Sequence, residues 1–307
     1  MRETELNMGA AGGGRASAAL LCTAALLLSG WLGSPESDAL RAEQPVAESE
    51  QGATARQHST LMGKTAARGQ AFLLHLNGIG GERLCDQTLI DGLKQGGLHA
   101  EFDLYDWTAG KNGIAALLGQ DQHKEQSRKI ADRLTAYARA HPQTPIYLTS
   151  HSGGCALAAW ALELLPDNGQ VEAVVMFAPA LSPDYDLSRA LRHVKRKLYV
   201  FPSIYDQVVL GAGTKLFGTM DGKLVEAAGL GGFTQPPTAD RRQYAKLDQH
   251  PYHLRWMLRY GNTGSHIGAL RTTFSAEYVA PLLWNGIAPV ENDKPSTRPG
   301  ILERLLP

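Results

Sequence analysis

From Gln70 onward, apolar residues fall into two alternating kinds of pattern. Residues 71–76 (AFLLHL) are an almost unbroken apolar run, which predicts a strand buried on both faces. Residues 84–93 repeat apolar side chains at helical spacing (Leu84, Leu89, Ile90, Leu93) and stop at Gly96-Gly97, so a helix is expected there. Residues 99–107 (HAEFDLYDW) alternate as a strand does. Residues 124–140 carry Ile130, Leu134 and Tyr137 on one helical face and end before Pro142. A strand over 146–150 leads into a helix, and a further strand is expected over 171–177. A short helix over 187–194 and a strand over 197–201 come next. The last strand falls somewhere within 244–260, and 275–284 reads as a closing helix. Repeated β-α units of this length predict an α/β fold: a doubly wound, mainly parallel sheet of about six strands with helices on both faces.

The spacing between elements restricts the architecture further. About 20 residues part Phe177 from Lys197, room for one helix but not for an inserted cap domain. Residues 207–242 are longer and glycine-rich, and 211–237 within them are expected to act as a mobile flap. Ahead of the domain, residues 18–28 (AALLCTAALLL) form an apolar stretch of signal-peptide length, too short for a spanning helix. Residues 1–33 are read as a signal peptide or, if uncleaved, as an N-terminal membrane anchor. Ser37-Asp38-Ala39 offers a small-x-small cleavage site, and Met8 competes with Met1 as the start. Either way the expected location is exported (periplasmic or secreted) or anchored at the membrane. Residues 34–69, rich in Glu, Gln, Ser, Ala and Thr, cannot bury enough apolar surface to order themselves and read as a linker. The folded domain is placed at 70–290, followed by a C-terminal tail over 291–307.

Composition narrows the function classes. The 30 basic and 30 acidic residues balance, which argues against nucleic acid as a partner. Three cysteines are too few for a disulfide framework, and Cys85 and Cys155 read as small buried hydrophobes.

Chemistry concentrates at Ser150-His151-Ser152-Gly153-Gly154. A strand, a sharp turn carrying a serine and then a helix is the layout of a nucleophile elbow, with Ser150 where glycine is usual. Gly154 lets the helix backbone pass close to a strand, and Gly153 offers an N–H just beyond the serine. A serine hydroxyl needs a base, and the base needs an acid to orient it. Asp206 follows the strand 197–201 directly; Asp184 and Asp186 follow the preceding strand, where turn and helix-cap roles also suit them. Of the 10 histidines, His266 stands in a glycine-flanked loop after the last strand. His151 is expected to point away from the serine and hold the turn, and His75 to be a satisfied core residue. His250 and His253 read as surface or packing residues, without the carboxylates or thiols that would make a metal site. Asn77-Gly78-Ile79-Gly80-Gly81 fits neither a dinucleotide loop nor a phosphate loop, but suits a pair of oxyanion donors, the backbone N–H groups of Ile79 and Gly153.

Taken together, this stretch resembles the α/β-hydrolase superfamily over roughly residues 70–284: oxyanion loop, elbow at Ser152, acid at Asp206, histidine at His266, in that order. The family often has His-Gly where this chain has Asn77-Gly78. The resemblance implies a serine esterase or lipase-like enzyme with Ser152, Asp206 and His266 as its triad. It requires no metal and no cofactor, and acts on a small-molecule or lipid ester. It also implies an eight-strand template trimmed of its first two strands, as in small esterases and cutinase-like lipases. A thioesterase or peptidase with the same triad remains open, as does a non-catalytic hydrolase-fold binding protein at the cell envelope.

Overall fold

The computed structural model describes residues 71–81, 83–111, 113–206, 213, 215 and 218–286. The N-terminal segment, the linker and the C-terminal tail expected from the sequence lie outside the described residues. Among the described residues no helix is long and apolar enough to cross a membrane.

Six strands, β1 (Ala71–Leu76), β2 (Ala100–Tyr105), β3 (Ile146–His151), β4 (Ala173–Phe177), β5 (Leu198–Phe201) and β6 (Leu247–Gln249), pair in the order β2-β1-β3-β4-β5-β6. Every pairing is parallel. The helices that matter here are α1 (Leu84–Gln95), α2 (Ile114–Leu118), α3 (Gln120–Ala140), α4 (Gly154–Glu163), α5 (Ser188–Arg192) and α6 (Leu254–Tyr260). Three consecutive helical pieces, Thr272–Phe274, Ser275–Val279 and Ala280–Asn285, close the domain.

Alternate residues of each strand feed two separate cores, which explains why β1 reads as an unbroken apolar run. Phe72, Leu74 and Leu76 join Leu148, Val174 and Val200 under α3 and α4. Ala71 and Leu73 join Tyr147, Val175, Phe177 and Phe201 under α1, α6 and the closing helical pieces. The helix after β1 and the helix after β3 therefore lie on opposite faces of neighbouring strands. That divergence is a topological switch point, and it opens a crevice at the carboxyl ends of β1 and β3, where open α/β sheets bind ligands. The register brings Leu76 level with Ser150, and Ser150 with Met176, so the loops after β1, β3 and β4 emerge side by side.

Several boundaries differ from the expected ones, each for a local reason. Helix α3 begins at Gln120, four residues before the expected start, because its first turn is polar and carries no apolar stripe; Gln122 anchors it by donating to the Thr108 carbonyl (2.6 Å). The strand expected over 99–107 stops at Tyr105, since Trp107 turns inward to bury its indole. The last strand is only three residues long, and the apolar stretch after it is helix α6. The described part of 211–237 is fastened as a cover rather than free as a flap. Met220 N–H bonds to Ala180 O (2.9 Å), Ala228 N–H to Leu181 O (2.7 Å) and Gly229 N–H to Pro179 O (2.7 Å), and Met220, Ala228 and Phe233 are buried.

Helix α4 passes so near β1 that residue 154 has no room for a side chain. A methyl group on Gly154 would lie 2.4 Å from Asn77 O and 2.6 Å from Leu76 O, both backbone atoms. Gly154→Ala is expected to destabilise the domain by about 3 kcal/mol, toward the upper end of overpacking costs. At Gly231 an added methyl meets nothing within 4 Å, and Gly231→Ala should stay within about 0.5 kcal/mol of wild type. Urea-unfolding midpoints of the two variants measure the contrast.

Candidate active site

Ser152 follows β3 directly, with φ of 54°, a left-handed conformation that costs a non-glycine residue about 1–2 kcal/mol. The surroundings hold it there. Ser152 N–H bonds to Phe177 O at the end of β4 (2.9 Å), while its carbonyl accepts from Ala180 N–H (3.2 Å) and Cys155 N–H (3.1 Å). Ser150, in the position where glycine is usual, is fully buried and turns its hydroxyl toward Val175 O (3.3 Å), so it fits without widening the turn. The Ser152 hydroxyl has no hydrogen-bond partner among the described residues.

The Asn77–Gly81 loop lies against this turn. A methyl on Gly153 would come within 2.7 Å of Ile79 Cγ2, and one on Gly78 within 3.3 Å of Ser152 Cβ. Neither the Ile79 nor the Gly153 N–H bonds to another backbone carbonyl among the described residues. Two side chains outside the sequence expectation shape the loop. Trp107 is fully buried and donates its indole N–H to Asn77 O (2.6 Å). Asp106 accepts from the Asn77 amide (3.3 Å) and from the Thr108 hydroxyl (2.6 Å). Asn77 thus ties the loop to the end of β2. Neither Asp106 nor Trp107 carries a motif; a strand whose last residues are Asp-Trp was their only signal in the sequence.

Asp206 and His266 come together although 60 residues separate them. His266 Nδ1 lies 2.5 Å from Asp206 Oδ2, with the carboxylate side chain 7 % exposed and the imidazole 23 % exposed. The two loops are stitched by backbone: Tyr205 N–H donates to Gly264 O (3.1 Å), and the Ser203 hydroxyl donates to Ser265 O. Asp184 is instead an exposed partner of Lys223 (2.7 Å), and Asp186 caps α5 by accepting from Ser188 N–H (2.9 Å).

His151 reaches across to the histidine loop. Its ring centroid lies 4.7 Å from that of His266, and Nε2–H donates to the His266 carbonyl (3.0 Å). It steadies that loop as well as the turn. A carbonyl can only accept, so the proton sits on Nε2. Burial, and then the nearby His266, pushes the His151 pKa down to about 3, and the ring is neutral at physiological pH.

His75 is a satisfied core residue. Its ring meets Thr149 Oγ1 at Nδ1 (2.9 Å) and donates from Nε2 to Asp86 (2.9 Å). Asp86 also accepts from Arg83 N–H (2.8 Å), so one buried carboxylate caps α1 and holds His75. Burial alone would push the Asp86 carboxyl up, but the hydrogen bond and charge of His75 leave it below the usual range. His250 packs on Phe201, with ring centroids 5.0 Å apart. Cys155 is buried, its thiol pushed up to about 12 by desolvation, and is inert. No group of three or more metal-ligating side chains occurs among the described residues.

No protein-family model and no curated protein matches this sequence. Among solved structures, a cutinase-like protein from Cryptococcus sp. is similar at 14% identity, over 71% of this chain and 97% of that one, with a TM-score of 0.39. An acetylxylan esterase is similar at 12% identity, over 66% and 91% of the chains, with a TM-score of 0.36. Est1E from Butyrivibrio proteoclasticus is similar at 10% identity, over 62% and 80%, also with a TM-score of 0.36. The described fold is of the α/β-hydrolase type in its own right: an all-parallel, doubly wound sheet with a serine elbow at the switch point.

His151 binds fewer protons in the folded chain than in the unfolded one, because its folded pKa is depressed. Its contribution therefore erodes stability as pH falls from about 6.5 toward about 3. His151→Gln keeps an N–H donor for the His266 carbonyl without the titration, and should show less acid destabilisation than wild type by thermal unfolding across that range. His151→Leu leaves the carbonyl unanswered and should cost about 1–3 kcal/mol at neutral pH.

Proposed function

We propose that the protein is a serine hydrolase that cleaves carboxylic esters through an acyl-enzyme on Ser152. The observation that carries this reading is the Asp206–His266 contact of 2.5 Å, fixed by loop-to-loop hydrogen bonds and joined through His151 to a turn whose serine is strained at φ 54°. A structural ion pair has no need of that neighbour, and an ordinary turn serine has no need of that strain.

In this reading the Ser152 oxygen attacks the ester carbonyl carbon as its proton passes to His266 Nε2. Asp206 at Nδ1 orients the ring and stabilises the imidazolium. The carbonyl electron pair moves onto oxygen, where the Ile79 and Gly153 N–H groups hold the charge, each donor being worth about 3 kcal/mol in the transition state. The tetrahedral adduct expels the alcohol, which takes the proton back from His266. Water then attacks the acyl-enzyme with His266 as base, releasing the acid and restoring the Ser152 hydroxyl.

A fluorophosphonate probe should label wild type at Ser152 and leave Ser152→Ala unlabelled; absence of label on wild type overturns the proposal. On p-nitrophenyl esters of graded chain length, Asp206→Asn should lower kcat by about 10⁴-fold, the size of loss that follows when the acid of such a triad is neutralised. Faster turnover of the matching thioesters or anilides would move the assignment to those bonds.

A further inference from the structure

A cavity of about 420 Å³ opens between α3, the end of α4, α5 and the 218–224 turn. It falls in the size range of small-molecule sites. Its walls divide by chemistry. Trp160, Leu164 and Met220 make an apolar side, and Leu164 remains 48 % exposed at the end of its helix. Lys124, Arg128 and Arg189 stand around that apolar side.

The lining carries three basic side chains, Lys124, Arg128 and Arg189, against two carboxylates, Asp221 and Glu163, so positive charge is in excess. Both carboxylates accept hydrogen bonds from neutral donors. Asp221 accepts from Ser182 N–H (2.9 Å), the Ser182 hydroxyl (2.5 Å) and the Thr219 hydroxyl (2.7 Å). Glu163 accepts from the Tyr185 hydroxyl (2.8 Å); burial pushes its carboxyl up, while the Tyr185 hydrogen bond and the charge of Arg189 pull it down. Arg128 and Arg189 enter no ion pair among the described residues, and Lys124 meets only the exposed Asp121 at 3.6 Å, a pair of little strength. Two guanidiniums beside an apolar wall suit a ligand with an apolar body and a carboxylate end, which the planar fork of arginine recognises.

The cavity also borders the crevice. Met220, one of its lining residues, has its sulfur 3.3 Å from where a side chain on Gly153 would begin. His123, also in the lining, touches Trp107 edge-on (5.7 Å), and Trp107 lies equally close to that point on Gly153. Met220, the most adaptable of apolar side chains, and the Trp107–His123 pair thus link the cavity lining to the surroundings of Gly153.

We propose that this cavity is the acyl subsite of the hydrolase, and that it takes an acyl chain ending in a carboxylate, as in a hemi-ester of a medium-length dicarboxylic acid. The chain lies along Trp160, Leu164 and Met220, and Arg128 and Arg189 answer the carboxylate. This assignment rests on the ester-hydrolase reading above. At low salt, kcat/KM for mono-p-nitrophenyl suberate should exceed that for the methyl-capped diester by about tenfold, equivalent to about 1.4 kcal/mol. The ratio should fall toward one in the double variant Arg128→Gln/Arg189→Gln, and in wild type as salt screens the charges. A ratio of one in wild type at low salt, or one unchanged in the double variant, overturns the assignment. Calorimetric titration of Ser152→Ala with monomethyl suberate separates the two readings. Saturable binding that disappears when both arginines are also replaced supports the cavity's ligand class even if neither ester is hydrolysed, an outcome that would fell the hydrolase reading alone. No binding in Ser152→Ala overturns the cavity assignment whatever the kinetics show.

Discussion

Everything at the crevice depends on how near helix α4 comes to strand β1. With only 2.4 Å between Asn77 O and the place where a Gly154 methyl would sit, the start of the helix is pressed onto the loop that leaves β1. That approach puts Ile79 against Gly153 and leaves their two N–H groups uncommitted beside Ser152. A wider gap would let the loop close on itself and satisfy those donors internally. The unfavourable φ at Ser152 belongs to the same constraint, since the chain must reverse within one residue to leave a strand and enter a helix at that distance.

Asp206 and His266 are held by a different device. Backbone bonds between Tyr205 and Gly264 and the Ser203 hydroxyl on Ser265 O join their loops directly, and His151 fixes the far side of the histidine loop. The Ser152 turn is therefore positioned by close packing, whereas His266 and Asp206 are positioned by hydrogen bonds. The second arrangement is softer, and it is the part a bound substrate could most readily tighten.

The sheet was legible in the sequence because its strands are buried on both faces, and the apolar runs of β1, β3, β4 and β5 stand out without any tertiary information. The elbow glycines were legible for a steric reason that holds locally. Strand β6 was not, because three half-buried residues at a sheet edge carry no pattern. The described part of 211–237 misled because glycines suggest freedom, while its anchoring comes from carbonyls of residues 179–183 that no local pattern announces. Asp206 and His266, singled out by their order along the chain, do come into contact, yet Asp106, Trp107 and Asp86, which hold Asn77 and His75, act through long-range bonds with no sequence spacing to betray them.

The face of the sheet that meets α1 and the closing helical pieces changes character along its length. It is apolar at Ala71, Leu73 and Tyr147 and polar at His75, Thr149 and His151, with His75 level with Thr149 in the register. The polar end carries two carboxylate–histidine contacts, Asp86–His75 and Asp206–His266, with His151 within electrostatic reach of both. A charged His151 there would oppose the positive charge that His266 must take up in the proposed reaction. Burial keeps His151 neutral, so it can brace the loop through Nε2 without competing for the proton. The same desolvation that costs acid stability thus marks His151 as the closed ring of the pair and His266 as the more open one.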